Sequence, residues 1–206
     1  MRRAKPISAD FLIDEREDGT SIRGYAAVFY DGSDDGTEYQ LGDNLFERIA
    51  PGAFDRALSE SDDVRALFNH DPNYILGRSS AGSLRLSVDD RGLLYEIDLD
   101  MSDPDSTRVL RKVERGDVSG SSFAFTIDDQ EIVQDEGRNI REIRSVSLYD
   151  VGPVTFPAYE SASSGVRMED VTECRSAVES WKHKKEEQVR AEHDRLRLSL
   201  IIESEL

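Results

Sequence analysis

Two short segments of the sequence carry side chains that could perform nucleophilic catalysis. His70 follows the apolar residues of 64–68, and Ser121 and Ser122 lie among the small and apolar residues of 118–125. A serine hydroxyl is a poor nucleophile at neutral pH unless an adjacent base removes its proton. Histidine suits that role because its ordinary pKa lies near neutrality. A serine and a histidine that meet in the fold would therefore provide acyl-transfer chemistry.

The spacing of these residues along the chain does not by itself show that they meet. His70 is the only histidine before His183, so Ser-His catalysis in that part of the chain has to use it. A histidine at a strand end is often structural, serines suit tight packing, and Asp150 before Val-Gly-Pro suits a turn. A Ser-His-acid set is defined by its geometry in space. The pattern alone therefore leaves both the catalytic and the structural interpretation of these residues open.

The elements that have to position these residues are short strands with two helices among them. One helix is predicted to start at Asp103 and Pro104, which are typical N-terminal residues. It is predicted to end at Gly116, a typical C-terminal residue. Pro51 predicts a second helix to about residue 59. The strands are predicted at 22–29, 63–69, 83–88, 93–99, 118–127 and 139–149, with a polar loop between the last two. Without a regular βαβ alternation, this order indicates a β-rich α+β domain.

A change in composition divides the chain into a domain, 1–165, and a charged tail, 166–206. The small polar residues of 161–165 are typical of a linker. Residues 168 to about 200 predict a helix, because apolar residues recur at roughly helical spacing. These residues are Val171, Cys174, Val178, Trp181, Val189 and Leu196. His183 and His193 lie in this tail, where we expect solvated helix faces.

The composition excludes several classes of function. The net charge of −17 opposes nonspecific binding to nucleic acid or to anionic membranes, since both are polyanions. A single cysteine cannot form an intramolecular disulfide and favours a reducing compartment. The sequence shows neither a secretory signal nor an apolar run long enough to span a membrane. Three separated histidines and one cysteine give no metal-site pattern, and we predict no cofactor.

Six segments, taken in order, resemble the prohead maturation protease family of tailed phages. They are residues 24–29 (GYAAVF), 46–54 (FERIAPGAF), 68–71 (FNHD), 76–78 (LGR), 121–125 (SSFAF) and 154–158 (VTFPA). The resemblance covers about two thirds of the chain, and it implies a serine endopeptidase. The family is similar in fold to the herpesvirus assembly protease. The expected fold is thus a barrel of short, mostly antiparallel strands surrounded by helices, with the helical tail appended.

The resemblance also implies roles for individual residues. His70 matches the catalytic histidine of the family, and Ser122 matches its nucleophile, with Ser121 as the neighbouring alternative. Asp150 matches an acidic position that is often Glu in relatives, so its shorter side chain would need a backbone closer to His70.

Other groups remain open as parts of the site. Glu47 and Glu142 are the fallback acids. The oxyanion hole that such chemistry requires is expected among backbone N–H groups near the nucleophile or near residues 138–144.

The substrates that the resemblance implies are the scaffold segment of the major capsid protein, other prohead proteins and the protease itself, as a homo-oligomer. The place of action would be the host bacterial cytoplasm, inside the assembling prohead, without secretion. The tail could dock on scaffold or capsid protein through a stripe centred on Trp181, fold back on its own domain, or pair with another subunit. The alternative function is a catalytically inactive relative that serves as a scaffold or capsid-assembly factor. A structural β-barrel without this chemistry would keep His70 and Ser122 apart.

Overall fold

The computed structural model describes residues 5–6, 11–16, 19–60, 63–156 and 168–204. The helices are α1 (Asp55–Ser59), α2 (Pro104–Arg115) and α3 (Met168–Ser204). The strands are β1 (Lys5–Pro6), β2 (Phe11–Arg16), β3 (Gly19–Val28), β4 (Tyr39–Gly42), β5 (Leu45–Ile49), β6 (Arg65–Leu67), β7 (Ile75–Arg78), β8 (Leu84–Val88), β9 (Gly92–Leu99), β10 (Gly120–Asp135) and β11 (Arg138–Val154). Short 3-10 helices lie at Asp35–Thr37 and Ser79–Ala81.

The strands form two sheets. One has the order β1-β2-β3-β9-β8, and all its neighbours are antiparallel. The other has the order β4-β5-β11-β6-β7, and β10 pairs with β11. In this second sheet β11 runs parallel to both β5 and β6 and antiparallel to β10. The hairpins β4–β5 and β6–β7 are therefore joined through β11.

The α+β class is confirmed, but the expected barrel is wrong because the two sheets do not close. They are joined instead by one apolar core. Ile22, Tyr95 and Ile97 of the first sheet are fully buried there, together with side chains of the second sheet. Phe54 before α1 packs edge-on against Phe123 of β10, with ring centroids 5.7 Å apart. Burial of these large apolar groups holds the sheets together without a closed ring of hydrogen bonds.

The two predicted helices differ in how well the sequence locates them. The prediction for α2 is confirmed: Asp103 accepts hydrogen bonds from the N–H groups of Asp105 and Ser106, and Gly116 ends the helix. The predicted start of the first helix at Pro51 is wrong, since α1 begins at Asp55. Gly52 has a φ of 89°, which a right-handed helix cannot contain. Residues 51–54 accordingly form turns.

The loop predicted between the last two strands is instead a continuation of both strands. Pairing between β10 and β11 runs from Gly120 opposite Val154 to Asp135 opposite Arg138. The polar composition misled the prediction, because consecutive residues 128–131 of this extension are exposed. Ile132 is buried on one face of the hairpin, and Ile140, opposite Val133, is buried on the other.

The helical tail is confirmed as a helix, and its first turns pack on the domain. Cys174 and Val178 are buried against Leu41, Leu45 and Ile132, and Trp181 is partly buried beside them. Val189 is 64% exposed, and the side chain of His183 is 74% exposed. The side chains of Val171, His193 and Leu196 and the predicted linker 161–165 lie outside the described residues. No helix in the described part of the chain is long and apolar enough to cross a membrane.

The burial of Cys174 predicts a thiol that reacts slowly with alkylating reagents. Its reactivity therefore shows whether α3 is packed on the domain. Burial raises the pKa of Cys174 to about 11, so only about one thiol in a thousand is ionised at pH 8. We expect alkylation by iodoacetamide at pH 8 to be at least about 100-fold slower than for an exposed thiol, and to accelerate as the pH rises toward 11. Val178→Asp should detach the helix and restore fast alkylation, measured by mass spectrometry. The matched control Val189→Asp, at an exposed position, should leave it slow; fast alkylation of the wild type would contradict the docking.

Candidate active site

His70 is brought to the second sheet by strand β6 and the turn that follows it. β6 pairs in parallel with the end of β11, with Arg65 opposite Asp150. The N–H of Asp71 then donates to the carbonyl of Phe68, which closes a tight turn. Both central residues of this turn, Asn69 and His70, have a φ of 57°. A left-handed backbone costs about 1–2 kcal/mol at a residue with a side chain, and least at Asn, so the fold holds His70 in a strained position.

Gly152 allows this turn to lie directly on β11. A Cβ atom at Gly152 would be 2.2 Å from the carbonyl oxygen of Leu67, far closer than two such atoms can approach. Glycine within a strand often marks such a close approach of another backbone. Because Gly152 has no side chain, the segment that leads to His70 can pass close to the backbone of β11.

Ser122 reaches the same place from the neighbouring strand. It lies opposite Gly152 in the register of β10 with β11, and Ala124 lies opposite Asp150. Because alternate residues of a strand share a face, Ser122 and Asp150 project to the same side of the sheet. The turn that crosses over Gly152 places the imidazole between them.

The three side chains form a connected chain of hydrogen bonds. The Nε2 atom of His70 is 3.0 Å from the Oγ atom of Ser122, and its Nδ1 atom is 2.6 Å from Oδ1 of Asp150. Ser122 is 5% exposed and the side chain of Asp150 is 11% exposed, whereas that of His70 is 34% exposed. An ionised carboxylate only accepts hydrogen bonds, so Nδ1–H donates to Asp150 and Nε2 is left to accept the proton of Ser122. This is the arrangement that activates a serine hydroxyl.

Ser121 points away from the imidazole. Its Oγ atom is 2.9 Å from the hydroxyl of Tyr95, a fully buried residue of the first sheet. The two adjacent serines therefore face opposite sides of β10, and the structure brings only Ser122 to His70.

The fallback acids lie elsewhere in the second sheet. Glu47 forms a buried ion pair with Arg141, with side chains 3% and 4% exposed. Glu142 pairs with Arg144. Residues 139–143 pair with β5, and Arg138 lies opposite Asp135 at the other end of the β10–β11 hairpin. This part of β11 is far along the strand from Gly152, which lies opposite Ser122. Neither acid reaches His70, and residues 138–144 are not placed to stabilise an oxyanion at Ser122.

Sequence reasoning missed the contacts that fix the turn around His70. Asn69 donates its N–H to the carbonyl of Pro153 and exchanges two hydrogen bonds with Thr155. A signal for this turn was present, since Asn is the side chain that best tolerates a left-handed backbone. The partner Thr155 carried no comparable signal, because the contact spans 86 residues. Among the described residues, no group of three or more His, Cys, Asp or Glu side chains is placed to hold a metal ion.

A serine, an imidazole and a carboxylate in this order are the functional groups of a serine hydrolase. Comparison with protein families narrows that class. The model of the caudovirus prohead serine protease family matches residues 9–177, so the chain belongs to this family and is a serine protease. The resemblance inferred from the sequence is confirmed, and the match extends over the first turns of α3. No curated protein and no solved structure matches the chain significantly.

The crossing at Gly152 predicts a substitution that separates the imidazole from the serine. In Gly152→Ala the new methyl group would collide with the Leu67 carbonyl, and the segment ending in His70 would have to move outward. We expect proteolysis to fall by at least about 100-fold, because small displacements of a reacting group have effects of this size. The free energy of unfolding should fall by about 1–3 kcal/mol.

Cleavage rate and thermal unfolding measure the two effects. Gly19→Ala is the control, because a Cβ atom there meets nothing within 4 Å. Wild-type cleavage by Gly152→Ala would show that the close crossing does not place His70.

Proposed function

We propose that this protein is the capsid maturation protease of a tailed phage, with Ser122 as nucleophile, His70 as general base and Asp150 as the acid that orients the imidazole. The observation that carries the proposal is the 3.0 Å distance between Ser122 Oγ and His70 Nε2. That distance lies within the range at which a base can remove a hydroxyl proton. Membership of the prohead protease family supplies the class of reaction and implies capsid proteins as partners.

The proposed reaction is acyl transfer to Ser122. His70 removes the proton of Ser122 as Oγ attacks the scissile carbonyl, and Asp150 stabilises the imidazolium that forms. The imidazolium then gives this proton to the leaving amine, which breaks the C–N bond and leaves an acyl-enzyme. A water molecule, activated by the same imidazole, releases the acid product and restores Ser122.

The proposed substrates are the scaffold segment of the major capsid protein, other proteins inside the prohead, and the protease itself. A precursor shell confines enzyme and substrate in a small volume, so the effective substrate concentration is high. The place of action is the assembling prohead in the host cytoplasm. The enzyme acts there as a homo-oligomer, and it binds neither nucleic acid nor membrane.

Labelling with diisopropyl fluorophosphate tests the proposed site. This reagent phosphorylates only a serine that an adjacent base activates. We expect one adduct on Ser122, located by peptide mass spectrometry, and none in His70→Ala. An adduct on Ser121, or equal labelling without His70, would overturn the assignment.

Co-expression with the major capsid protein of the same phage tests the proposed substrate. Wild-type protein should shorten the capsid protein at its scaffold segment, and His70→Ala should leave it intact. Unchanged processing in His70→Ala would instead favour the inactive relative that acts only as an assembly factor.

A further inference from the structure

The turn that carries His70 is tied by three hydrogen bonds to the end of β11 and to Thr155, the residue that follows it. The N–H of Asn69 donates to the Pro153 carbonyl at 3.1 Å. The N–H of Thr155 donates to Asn69 Oδ1 at 2.7 Å, and Asn69 Nδ2 donates to Thr155 Oγ1 at 3.2 Å. We call the pair Asn69 and Thr155 the latch. Its two members are exposed and neither belongs to the apolar core, so they contribute little to packing.

The latch acts on a residue whose backbone is strained. His70 has a φ of 57°, a conformation that a residue with a side chain leaves unless its surroundings hold it. Its imidazole has to keep two hydrogen bonds at once, to Ser122 and to Asp150. Rotation of the turn by a few degrees would lengthen both. Asn69, the adjacent residue of the same turn, is the one that the latch fixes to the strand carrying Asp150.

We propose that Asn69 and Thr155 are positioning residues for His70, and that the latch sets the rate of the acyl-transfer step. The inference rests on the proposed function of His70. It extends the site to two polar residues that contact neither the nucleophile nor the acid. The end of β11 then positions the acid directly and the base through the latch.

Two variants isolate the latch from the fold. Asn69→Gly removes both side-chain hydrogen bonds but keeps a residue that adopts the left-handed backbone freely. Thr155→Val removes only the hydroxyl that accepts from Asn69. We expect kcat for the capsid protein to fall about 100-fold in Asn69→Gly and about tenfold in Thr155→Val, with KM unchanged, because misplacement of a base affects the chemical step. Thr155→Ser keeps the hydroxyl and should restore kcat to within about twofold.

The matched control is Asn44, an exposed residue with a φ of 56° whose Nδ2 atom donates to the Gly137 carbonyl. Asn44→Gly makes the same change at the opposite end of the sheet and should leave kcat at the wild-type value. A proton NMR signal from His70 Nδ1–H, sharp through its bond to Asp150, should broaden in Asn69→Gly and not in Asn44→Gly.

The outcomes separate the latch from the proposed function. Loss of activity in His70→Ala with wild-type kcat and a sharp signal in Asn69→Gly would overturn the latch alone. Full activity in His70→Ala would overturn the proposed function itself. A fall in kcat that is equal in Asn69→Gly and Asn44→Gly would also overturn the latch, because it would show a general effect of a loosened turn.

Discussion

Ser122→Ala should abolish cleavage of the major capsid protein, while Ser121→Ala should remain active. The Oγ atom of Ser122 is the only hydroxyl oxygen of the two that meets His70. Loss of the nucleophile removes the acyl-enzyme route, and we expect kcat to fall by about 10⁴-fold or more. Single-turnover cleavage of purified capsid protein, followed on gels, measures this fall.

Ser121→Ala is a matched control, since it removes the neighbouring hydroxyl from the same strand. It deletes the hydrogen bond to Tyr95, which should cost about 1 kcal/mol of unfolding free energy. Its cleavage rate should stay within about tenfold of the wild type. The reverse result, with Ser122→Ala active and Ser121→Ala inactive, would move the nucleophile to Ser121 and require β10 to turn its other face to His70.

Asp150→Asn should lower kcat by about 10⁴-fold while leaving the fold intact. An amide at this position can donate to Nδ1 of His70 and so hold the proton on Nε2, the wrong ring nitrogen for a base that faces Ser122. The side chain is nearly isosteric, so the unfolding temperature should change little. Cleavage rate, thermal unfolding and diisopropyl fluorophosphate labelling of Ser122 together distinguish lost orientation from lost structure.

Asp150→Glu and Asp98→Asn complete this experiment. Asp150 lies 2.6 Å from the ring, so the longer Glu should displace the imidazole and leave an intermediate rate. Asp98 is a carboxylate of the first sheet that pairs with Arg85, and Asp98→Asn should cleave normally. If Asp150→Asn kept the wild-type kcat, Asp150 would have no role in catalysis, and the site would consist of a serine and a histidine.

The sequence predicted the local elements better than the way in which they come together. The α2 boundaries followed from Asp103 and Gly116 because capping depends on a few adjacent residues. The roles expected for His70 and Ser122 came from the six segments that resemble the protease family in the same order along the chain. Whether Asp150 could serve in place of a longer Glu depended on how closely β11 approaches the His70 turn, which no local pattern encodes.

The parts that could not be predicted depend on contacts between distant residues. The barrel inferred from the resemblance was wrong because closure depends on how two sheets twist and pack, not on the pattern within a strand. Gly152 could be seen in the sequence as a glycine in a strand, but its partner, the Leu67 carbonyl, is 85 positions away. The extension of β10 and β11 was missed since a half-exposed hairpin has the composition of a loop.

The place of β11 in the chain has a consequence for the timing of synthesis. Among the strands of the described residues it is the last to leave the ribosome, yet it joins the hairpins β4–β5 and β6–β7, carries Asp150 and leads directly into Thr155, which holds the His70 turn. Domains fold as units during translation, and this one has no complete second sheet until about residue 155 has emerged. Until then the side chains of Ser122, His70 and Asp150 cannot be brought together.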